Sequence, residues 1–302
     1  TEDPLPSNTF IHVFIQQNGS SLKIYVDGVE QNIAAGSSNA ALWFDGLNID
    51  RWFLGGNGAQ YFSGWIDALY LASGTMSANE INALTQAAEP LIHFNFEDNA
   101  SGNNVDSIGS GNYQCDLPGS GVVFSNGHYK EGQQSLYFDG ADSSYLTCDS
   151  DNALVGATGG IAFWMKATAI IFNDHDIINL YDTGYADYLL VRIDDSEKIY
   201  VRIEDEDVGL INVYGSTSLQ ENQWHHVAVV QDGNGLAIYV DGVLDGIETG
   251  GIPETWTNHL DIDNHQLRIG AGHWGGFQGY LDDVRITNVP MSPGYIWELA
   301  ND

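Results

Sequence analysis

The sequence predicts an all-β protein in which antiparallel strands form packed pairs of sheets, with a short helix closing each unit. Three observations support this fold class. Apolar residues alternate along many short segments, turn-forming residues are abundant (35 glycines), and one set of strand-like segments occurs twice. Alternation is typical of strands with one buried face, and turns rich in Gly, Asn and Asp join such strands into hairpins.

The duplication is clearest where "IHVFIQQNGSSLKIYVDGVEQN" (11–32) aligns without a gap with "HHVAVVQDGNGLAIYVDGVLDG" (225–246), with 11 of 22 positions identical. After a one-residue slip, "SGWIDALYL" (63–71) matches "QGYLDDVRI" (278–286). This is an internal repeat of about 85 residues, and its spacing is the size of a whole domain.

Each copy contains a predicted hairpin. Val227 and Val229 share one face of the first strand, and Leu236, Ile238 and Val240 share one face of the second. The segment "QDGNG" supplies the turn between them, and the Asp-Gly pair in "VDG" signals a second tight turn.

A short helix is predicted after the last strand of each copy. Ser77 and Glu80 have the spacing of a capping box, and Ser292–Pro293 places proline at the first helical position. Both patterns are typical of helix starts.

The repeat also predicts the domain organisation. Residues 90–214 have no counterpart, so 90–302 form one complete unit and 1–88 are the C-terminal part of another. The first unit then lacks its opening strands. We expect either that the sequence is a piece of a longer chain, or that a second polypeptide donates the missing strands.

Charge is the strongest compositional signal, since 41 acidic residues accompany only 9 basic ones and give a formal net charge of −32. Such a surface repels nucleic acid and anionic membranes, so neither is an expected partner. No apolar run approaches the roughly 20 residues that cross a bilayer, so membrane insertion is not expected. The charge suits cation binding or solubility in a salty medium, and the composition does not choose between them.

Cys115 and Cys148 are the two cysteines of the chain and lie in separate strand-like stretches. Neither has zinc-ligand spacing to another Cys or His. They form either a disulfide, in an oxidising compartment, or two unpaired core thiols.

The ordered motifs of residues 90–302 resemble a laminin-G-like domain of the concanavalin A-like lectin/glucanase jelly roll, in its bacterial extracellular form. They run from "LIHFNFEDNASGNNVDSIG" through "EGQQSLYFDGAD", "GGIAFWMKA" and "NQWHHVAVVQDG" to "FQGYLDDVRI". The resemblance implies tandem concanavalin A-like antiparallel β-sandwiches, a secreted or cell-surface location, and roles in carbohydrate binding or adhesion.

The resemblance also implies a structural calcium ion where the first strand meets the last. The matching acidic residues are Glu97 or Asp98 and Asp282, with Asp139 and Asp142 as contributors from a neighbouring strand. Carboxylate oxygens are the ligands that Ca²⁺ prefers. Strand alternation puts Asp282 and Asp283 on opposite faces, so only one of them points at a given site. We favour Asp282, because the first copy has an aspartate at this position (Asp67) but Ala68 opposite Asp283.

Catalysis is not expected, although the same sandwich hosts glucanases. Glycoside hydrolysis needs two carboxylates across the sugar, and Glu204-Asp205-Glu206-Asp207 does not match the E-x-D-x-E spacing on one strand face. His225 and His226 alternate in direction on a strand, so they are not expected to bind one ligand together.

Aromatic residues in predicted loops are the candidates for stacking on a sugar. They are Tyr185, Tyr188, Trp256, His273 and Trp274. Packing over the ends of the sandwich is the other interpretation of these residues, whereas Trp164 and Trp224 are expected in the core.

Two functions remain open. The first is a non-catalytic module, stabilised by calcium, that binds a glycan or another extracellular partner within a tandem array. The second is a structural subunit of an extracellular filament, sheath or surface layer, which self-associates and has its strands completed by a neighbouring chain.

Overall fold

The structure, a computed structural model, describes residues 13–18, 21–26, 29–31, 90–97, 104–109, 113–148, 156, 158–170, 175–181, 187–205, 209–232, 235–248, 266–272 and 275–301. The chain divides into two compact units. One consists of Thr1–Ala87 with Ser292–Gly294, and the other of Ala88–Met291 with Tyr295–Asp302.

In the first unit the described residues form a three-stranded antiparallel meander of β1 (Val13–Asn18), β2 (Ser21–Val26) and β3 (Val29–Glu30). Ile15 pairs with Ile24, and Val229 pairs with Ile238 in the second unit. The two hairpins therefore share one register, as the sequence alignment predicts. The predicted helix at Ser77–Glu80 lies outside the described residues.

The second unit is a sandwich of two antiparallel sheets, each with eight described strands. The order in the first sheet is β17-β16-β15-β10-β19-β8-β7, and β4 also pairs with β19. The bounds of these strands are β4 (Ile92–Phe94), β7 (Val122–Ser125), β8 (Ser135–Asp139), β10 (Gly159–Ala167), β15 (His225–Gln231), β16 (Leu236–Val240), β17 (Val243–Glu248) and β19 (Gln278–Thr287).

The second sheet has the order β14-β13-β12-β11-β18-β9-β6-β5. Its strands are β5 (Asn104–Asp106), β6 (Gln114–Asp116), β9 (Leu146–Cys148), β11 (His175–Tyr181), β12 (Tyr188–Ile193), β13 (Ile199–Asp205), β14 (Gly209–Tyr214) and β18 (Gln266–Ile269).

The core lies between the two sheets, where alternate residues of both meet. Phe163 and Val227 of the first sheet and Val201 of the second are fully buried in it. Residues one position away on each strand face outward, away from the other sheet. This alternation decides which side chains reach a ligand, and the two outer faces are therefore the surfaces of interest.

A single described helix, α1 (Pro293–Asn301), begins at proline as the sequence predicts. Met291, Ile296 and Leu299 pack against Ala162 and Ala228 on the outer face of the first sheet. The helix therefore covers one part of that face.

The predicted Asp-Gly turn joins β16 to β17. Asp241 and Gly242 both have positive φ (51° and 80°), which a two-residue type I′ hairpin requires. A side chain at Gly242 would press on Trp297 and Ala300 of α1 at 3.2 Å, so glycine also permits the close approach of the helix.

The first strand of this unit lies beside the last one, as the resemblance implies. Phe94 pairs with Val284, and Ile92 pairs with Ile286. The expectation that Asp282 and Asp283 face opposite ways is wrong, because β19 has an extra residue at this point. Ala162 pairs with Arg285 but Trp164 pairs with Asp282, and Asp283 has a φ of 48°. This β-bulge interrupts the alternation, so Asp283 meets His93 and Arg285 instead of entering the core.

Cys115 and Cys148 pair across β6 and β9 and form a disulfide in the structure. They are the two cysteines of the chain, so no free thiol remains. The bond crosslinks two short neighbouring strands of the second sheet.

Candidate functional site

Two predicted metal ligands, Glu97 and Asp282, hold the same turn between β7 and β8. Glu97 Oε1 accepts hydrogen bonds from the backbone amides of Gln133 (2.7 Å) and Gln134 (3.0 Å). Asp282 Oδ2 accepts from the amides of Lys130 (2.8 Å) and Glu131 (3.0 Å). The structure therefore brings these two carboxylates to one turn, but it occupies them with backbone amides.

Asp282 is completely buried. Burial raises the pKa of its carboxyl to about 7, although three backbone amides oppose this shift by stabilising the charged form. The amides come from Lys130, Glu131 and Asp283.

Asp139 and Asp142 lie at the other end of β8, so the structure separates them from Glu97 and Asp282. Leu281 pairs with Leu136, which places Asp282 at the Ser135 end of this strand, and Asp139 ends it. Four residues of strand span about 13 Å, too far for ligands of one calcium ion. Asp139 accepts a hydrogen bond from the Ala141 amide at 3.0 Å. Its pKa is lowered, mainly by a hydrogen bond from Ser144.

Within the described ranges, no group of three or more His, Cys, Asp or Glu side chains is placed to hold a metal ion. Asp98 lies outside those ranges, so calcium binding at this edge of the sandwich stays a prediction.

His225 and His226 do not form a ligand pair, in agreement with strand alternation. His225 Nδ1 lies 2.9 Å from Asp241 Oδ2, whereas the His226 ring packs edge-on against Trp164 at 5.2 Å. Both histidines are buried.

The outer face of the second sheet carries a set of aromatic and polar side chains on β13 and β14. We call it the β14 platform and define it by five residues: Tyr200, Arg202, Glu204, Asn212 and Tyr214. The core-facing neighbours of these residues are Val201, Ile203, Ile211 and Val213. The platform therefore results from strict alternation in "YVRIE" and "INVY".

Tyr214 is the most exposed residue of the platform, at 61% of its surface. Its ring centroid lies 4.7 Å from that of Tyr200, whose hydroxyl donates to Asn212 Oδ1 at 2.5 Å. The Tyr200 contact supports the Tyr214 ring from one side. The amide group of Asn212, which is only partly buried, lies next to that ring on the same strand face.

Glu204 is held as an ion pair and is not poised as an acid. Arg202 contacts it with Nε at 3.0 Å and Nη2 at 2.5 Å, and Tyr188 donates its hydroxyl at 2.5 Å. The Tyr188 hydrogen bond is the largest cause of a lowered Glu204 pKa, and Arg202 adds to it.

The prediction that Tyr188 is a loop aromatic is wrong, because this residue begins β12 and is buried (4% exposed). Burial raises its pKa, and the hydrogen bond to Glu204 adds to the effect. In the sequence, "TGYADYLL" places Tyr188 at the point where a glycine-containing turn enters an apolar run. A loop position and the first position of a strand look alike there. Tyr188 flanks the β14 platform on the neighbouring strand, where it pairs with Glu204.

A second cluster on the same outer face surrounds Arg268 of β18. Its guanidinium lies 4.3 Å from the ring centroid of Tyr145 and 4.8 Å from that of Tyr181. Arg268 Nε donates to Gln266 at 3.0 Å. The Tyr181 hydroxyl donates to the same Gln266 oxygen. Arg268 and Arg202 belong to one row of paired residues that crosses β18, β11, β12 and β13. Three spacings between neighbouring strands put them about 14 Å apart.

The stem of the loop that contains His273 and Trp274 is described, and it folds against β11. Phe277 donates to Gly270 O at 2.7 Å, and Gly272 donates to Gly275 O at 3.3 Å. A side chain at Gly272 would collide with Asp176 and Asn179, so the stem approaches the outer face of β11 closely. His273 and Trp274 themselves lie outside the described residues, as do Tyr185 and Trp256.

The outer face of the first sheet carries a row of side chains across neighbouring strands. We call it the Tyr280 row: Tyr137, Tyr280, Lys166 and Trp224, with His128 beside them. Tyr280 pairs with Tyr137 on one side and with Lys166 on the other. Its ring centroid lies 5.0 Å from Tyr137, 4.6 Å from His128 and 6.4 Å from Trp224.

Trp164 is buried as expected (4% exposed), although its ring lies on the outward side of β10, whereas the expectation of a core position for Trp224 is wrong. Trp164 alternates with the core residues Phe163 and Met165, and Lys130 covers its ring at 4.1 Å. Trp224 directly precedes β15 and is only partly buried.

A family model for the concanavalin A-like lectin/glucanases superfamily matches residues 1–82 and 138–296, which is more than half of the chain. The chain belongs to this superfamily. Members are antiparallel jelly rolls, and the strands and single described helix of this protein agree with that architecture. No curated protein sequence matches the chain significantly.

Solved structures of the same fold include a domain of a secreted enzyme and parts of bacterial toxins. Domain 4 of AbnA, an extracellular arabinanase from Geobacillus stearothermophilus in complex with arabinotriose, matches 72% of this chain and 100% of its own length (15% identity, TM-score 0.53). The binding domain of botulinum neurotoxin serotype D matches 70% of this chain and 50% of its own length (16% identity, TM-score 0.53). At these identities the likeness shows the superfamily fold.

The aromatic residues of the β14 platform and the Tyr280 row lie on or beside strands, whereas the sequence predicts candidates in loops. A usable signal is present on the strands. In "LINVY" an exposed Leu, a partly buried Asn and an exposed Tyr alternate with core Ile and Val.

No described helix has the length and the hydropathy that a membrane span requires.

Proposed function

We propose that the protein is a non-catalytic carbohydrate-binding module that acts outside the cell. The observation that carries the proposal is the β14 platform, where the exposed ring of Tyr214 stands beside hydrogen-bonding side chains on a rigid sheet. Sites on strands hold their groups more firmly than sites on loops.

The chemistry of the platform suits a sugar. An aromatic ring offers a flat apolar surface to the C–H face of a pyranose or furanose, and short polar groups fix its hydroxyls. Asn212 can both donate and accept, Arg202 donates, and Glu204 accepts. Their mutual contacts fix the rotamers before a ligand arrives, which reduces the entropy lost on binding.

The carboxylate arrangement supports a binding role. Glycosidases need one carboxyl that is protonated and a second one across the sugar. Glu204 is the one carboxylate of the β14 platform, and Tyr188 and Arg202 hold its pKa below the usual range. Asp205, the next residue along β13, is buried on the core side of the strand. These carboxylates therefore favour recognition of hydroxyl groups over proton transfer.

Two further observations support the proposal. A domain of the same fold from an extracellular arabinanase was solved with arabinotriose, an oligosaccharide. The buried disulfide between Cys115 and Cys148 fits an oxidising compartment. Adhesion, a tandem array and calcium stabilisation belong to the same proposal as expectations.

The test is a binding measurement with the full chain. The probes are arabinotriose and an array of neutral and acidic oligosaccharides, and hits are quantified by calorimetry. Tyr214→Ala should lower the affinity about tenfold or more, equivalent to about 1.4 kcal/mol, because it removes the stacking surface.

Tyr214→Phe is the matched control, since it keeps the ring and should keep most of the affinity. Failure of every probe to bind the wild-type chain would contradict the proposed function. Equal affinity of the Ala variant for every binding probe would contradict the assignment to Tyr214.

A further inference from the structure

The Tyr280 row lies on the opposite side of the sandwich from the β14 platform. On β10, alternate residues from Ala162 to Lys166 face outward. Ala162 packs under α1, whereas Lys166 sits four residues further along, about 13 Å away, within the row. The helix therefore leaves this part of the sheet uncovered, although it is rich in aromatic residues.

Lys166 is one of only 9 basic residues in a chain with 41 acidic residues. Four other described cations, Lys23, Arg192, Arg202 and Arg285, contact carboxylates. Lys166 instead lies among rings: its Nζ is 5.9 Å from the Tyr280 ring centroid and 3.5 Å from His128 Nδ1. Within the described part of the chain it makes no ion pair. An ammonium group has three donors and no acceptor, so a site built around one suits an anion.

We propose that the Tyr280 row is a second carbohydrate-binding surface, which accepts a sugar unit bearing a carboxylate. The rings of Tyr280, Tyr137 and Trp224 stack on sugar faces, and Lys166 pairs with the carboxylate of an acidic unit. This surface goes beyond the proposed function, and it shares no residue with the β14 platform.

Two features favour a sugar chain over a protein partner. The row is one side chain wide and crosses β8, β19 and β10 to the residue before β15, a span of about 14 Å. A stable protein interface buries roughly 800 Å² on each side, much more than such a row offers. The rings are tilted by 50° to 53° relative to Tyr280, so they present several stacking faces along a line.

The overall negative charge restricts which acidic ligand is suitable. A net charge of −32 repels a dense polyanion, but beyond about 8 Å physiological salt screens most of this repulsion. A mostly neutral oligosaccharide with a single uronate unit therefore fits better than a uniformly charged polymer. With one ligand surface on each sheet, a single domain would link two sugar chains.

The experiment uses the full chain and two oligosaccharides of equal length, one ending in glucuronate and the other in glucose. Binding is measured for wild type, Tyr280→Ala, Tyr280→Phe, Lys166→Gln and Tyr214→Ala. We expect Tyr280→Ala to weaken binding of the glucuronate probe at least tenfold, whereas Tyr280→Phe leaves it within twofold. Lys166→Gln should reduce the affinity for the glucuronate probe to that for the glucose probe.

Because Tyr280 is partly buried, thermal unfolding checks each variant, and His128→Ala provides a second, exposed variant expected to weaken binding of the same probe. Unchanged binding in folded Tyr280→Ala and His128→Ala would overturn the proposal. So would an unchanged preference for glucuronate in Lys166→Gln, or tighter binding of an acidic peptide than of the glucuronate probe at this row. Loss of binding in Tyr214→Ala alone would leave the β14 platform as the binding site and refute the second surface.

Discussion

His226 makes the stability of the fold depend on pH in a defined direction. It is 1% exposed, and its ring contacts Trp164. Its ring Nδ1 has no hydrogen-bond partner in the described part of the chain. Burial lowers its pKa from 6.5 to about 4. The negative charges of Asp283 and Asp241 act against this shift, and the positive charges of Arg285 and Lys130 add to it.

The size of the effect on stability follows from the difference between the pKa of His226 in the folded chain and in the unfolded chain. The unfolded chain protonates this histidine below about pH 6.5, whereas the folded chain does so only below about pH 4. Between these values the unfolded state binds more protons, so the free energy of unfolding falls as the pH falls. The full effect is about 3 kcal/mol, since one pKa unit corresponds to about 1.4 kcal/mol.

The substitution His226→Phe keeps an aromatic ring against Trp164 and removes the titrating group. Denaturant unfolding of both proteins from pH 7.5 to 4.5, followed by tryptophan fluorescence, measures the difference in their free energies of unfolding. As the pH falls across this window, the free energy of unfolding of the variant should rise relative to that of wild type by up to about 3 kcal/mol.

Asp282 titrates in the same window with the opposite sign, because its raised pKa makes the folded state hold the proton. It is present in both proteins, so its contribution cancels in the difference. A difference that stays constant within about 0.5 kcal/mol from pH 7.5 to 4.5 would refute the reasoning.

Two further predictions concern the edges of the sandwich. Replacing both Cys115 and Cys148 with Ala should lower the free energy of unfolding by about 3–4 kcal/mol, because the bond closes a loop with a sequence separation of 33. Denaturant unfolding measures it, and a loss below about 1 kcal/mol would show that the unfolded chain is little constrained by this bond. Glu97→Ala should cost about 1–3 kcal/mol, equally with calcium or with chelator, because it leaves two backbone amides without their side-chain acceptor. A loss seen only with calcium present would assign Glu97 to a metal site instead.

Much of the fold was predictable because its signals are local. Alternation places core residues, and an Asp-Gly pair between two apolar runs favours a type I′ turn, as at Asp241–Gly242. Proline at the first helical position likewise marks the start of α1. Each of these patterns acts over a few residues, and the packed structure does not overrule it.

The bulge at Asp283 was not predictable, because it depends on how β19 pairs with β10. The extra residue satisfies partners from a distant part of the sequence, His93 on β4 among them. The same reason explains the carboxylates of Glu97 and Asp282. Sequence resemblance brought these residues to one edge of the sandwich, but only the fold shows that the amides of the β7–β8 turn lie between them.

The candidate sites were hard to predict for a different reason. Sugar-binding aromatics were sought in loops, where exposure is common, whereas Tyr214 and Tyr280 lie on strands. Whether an outward strand position stays open depends on what packs over it, and α1 covers Ala228 but not Tyr280. That outcome depends on tertiary structure, which strand alternation alone does not encode.

The pairing of β4 with β19 has a consequence for how the protein is made. His93 and Asp283 are 190 residues apart in the sequence. The first strand of the domain, β4, therefore cannot pair with β19 until the last strand has been made. Closing so long a loop is slow relative to forming the local hairpin of β15 and β16. During synthesis, β4 stays without this partner until the last strand has left the ribosome. We therefore expect the domain to complete its fold only once β19 has been made, from its sequential hairpins toward its two ends.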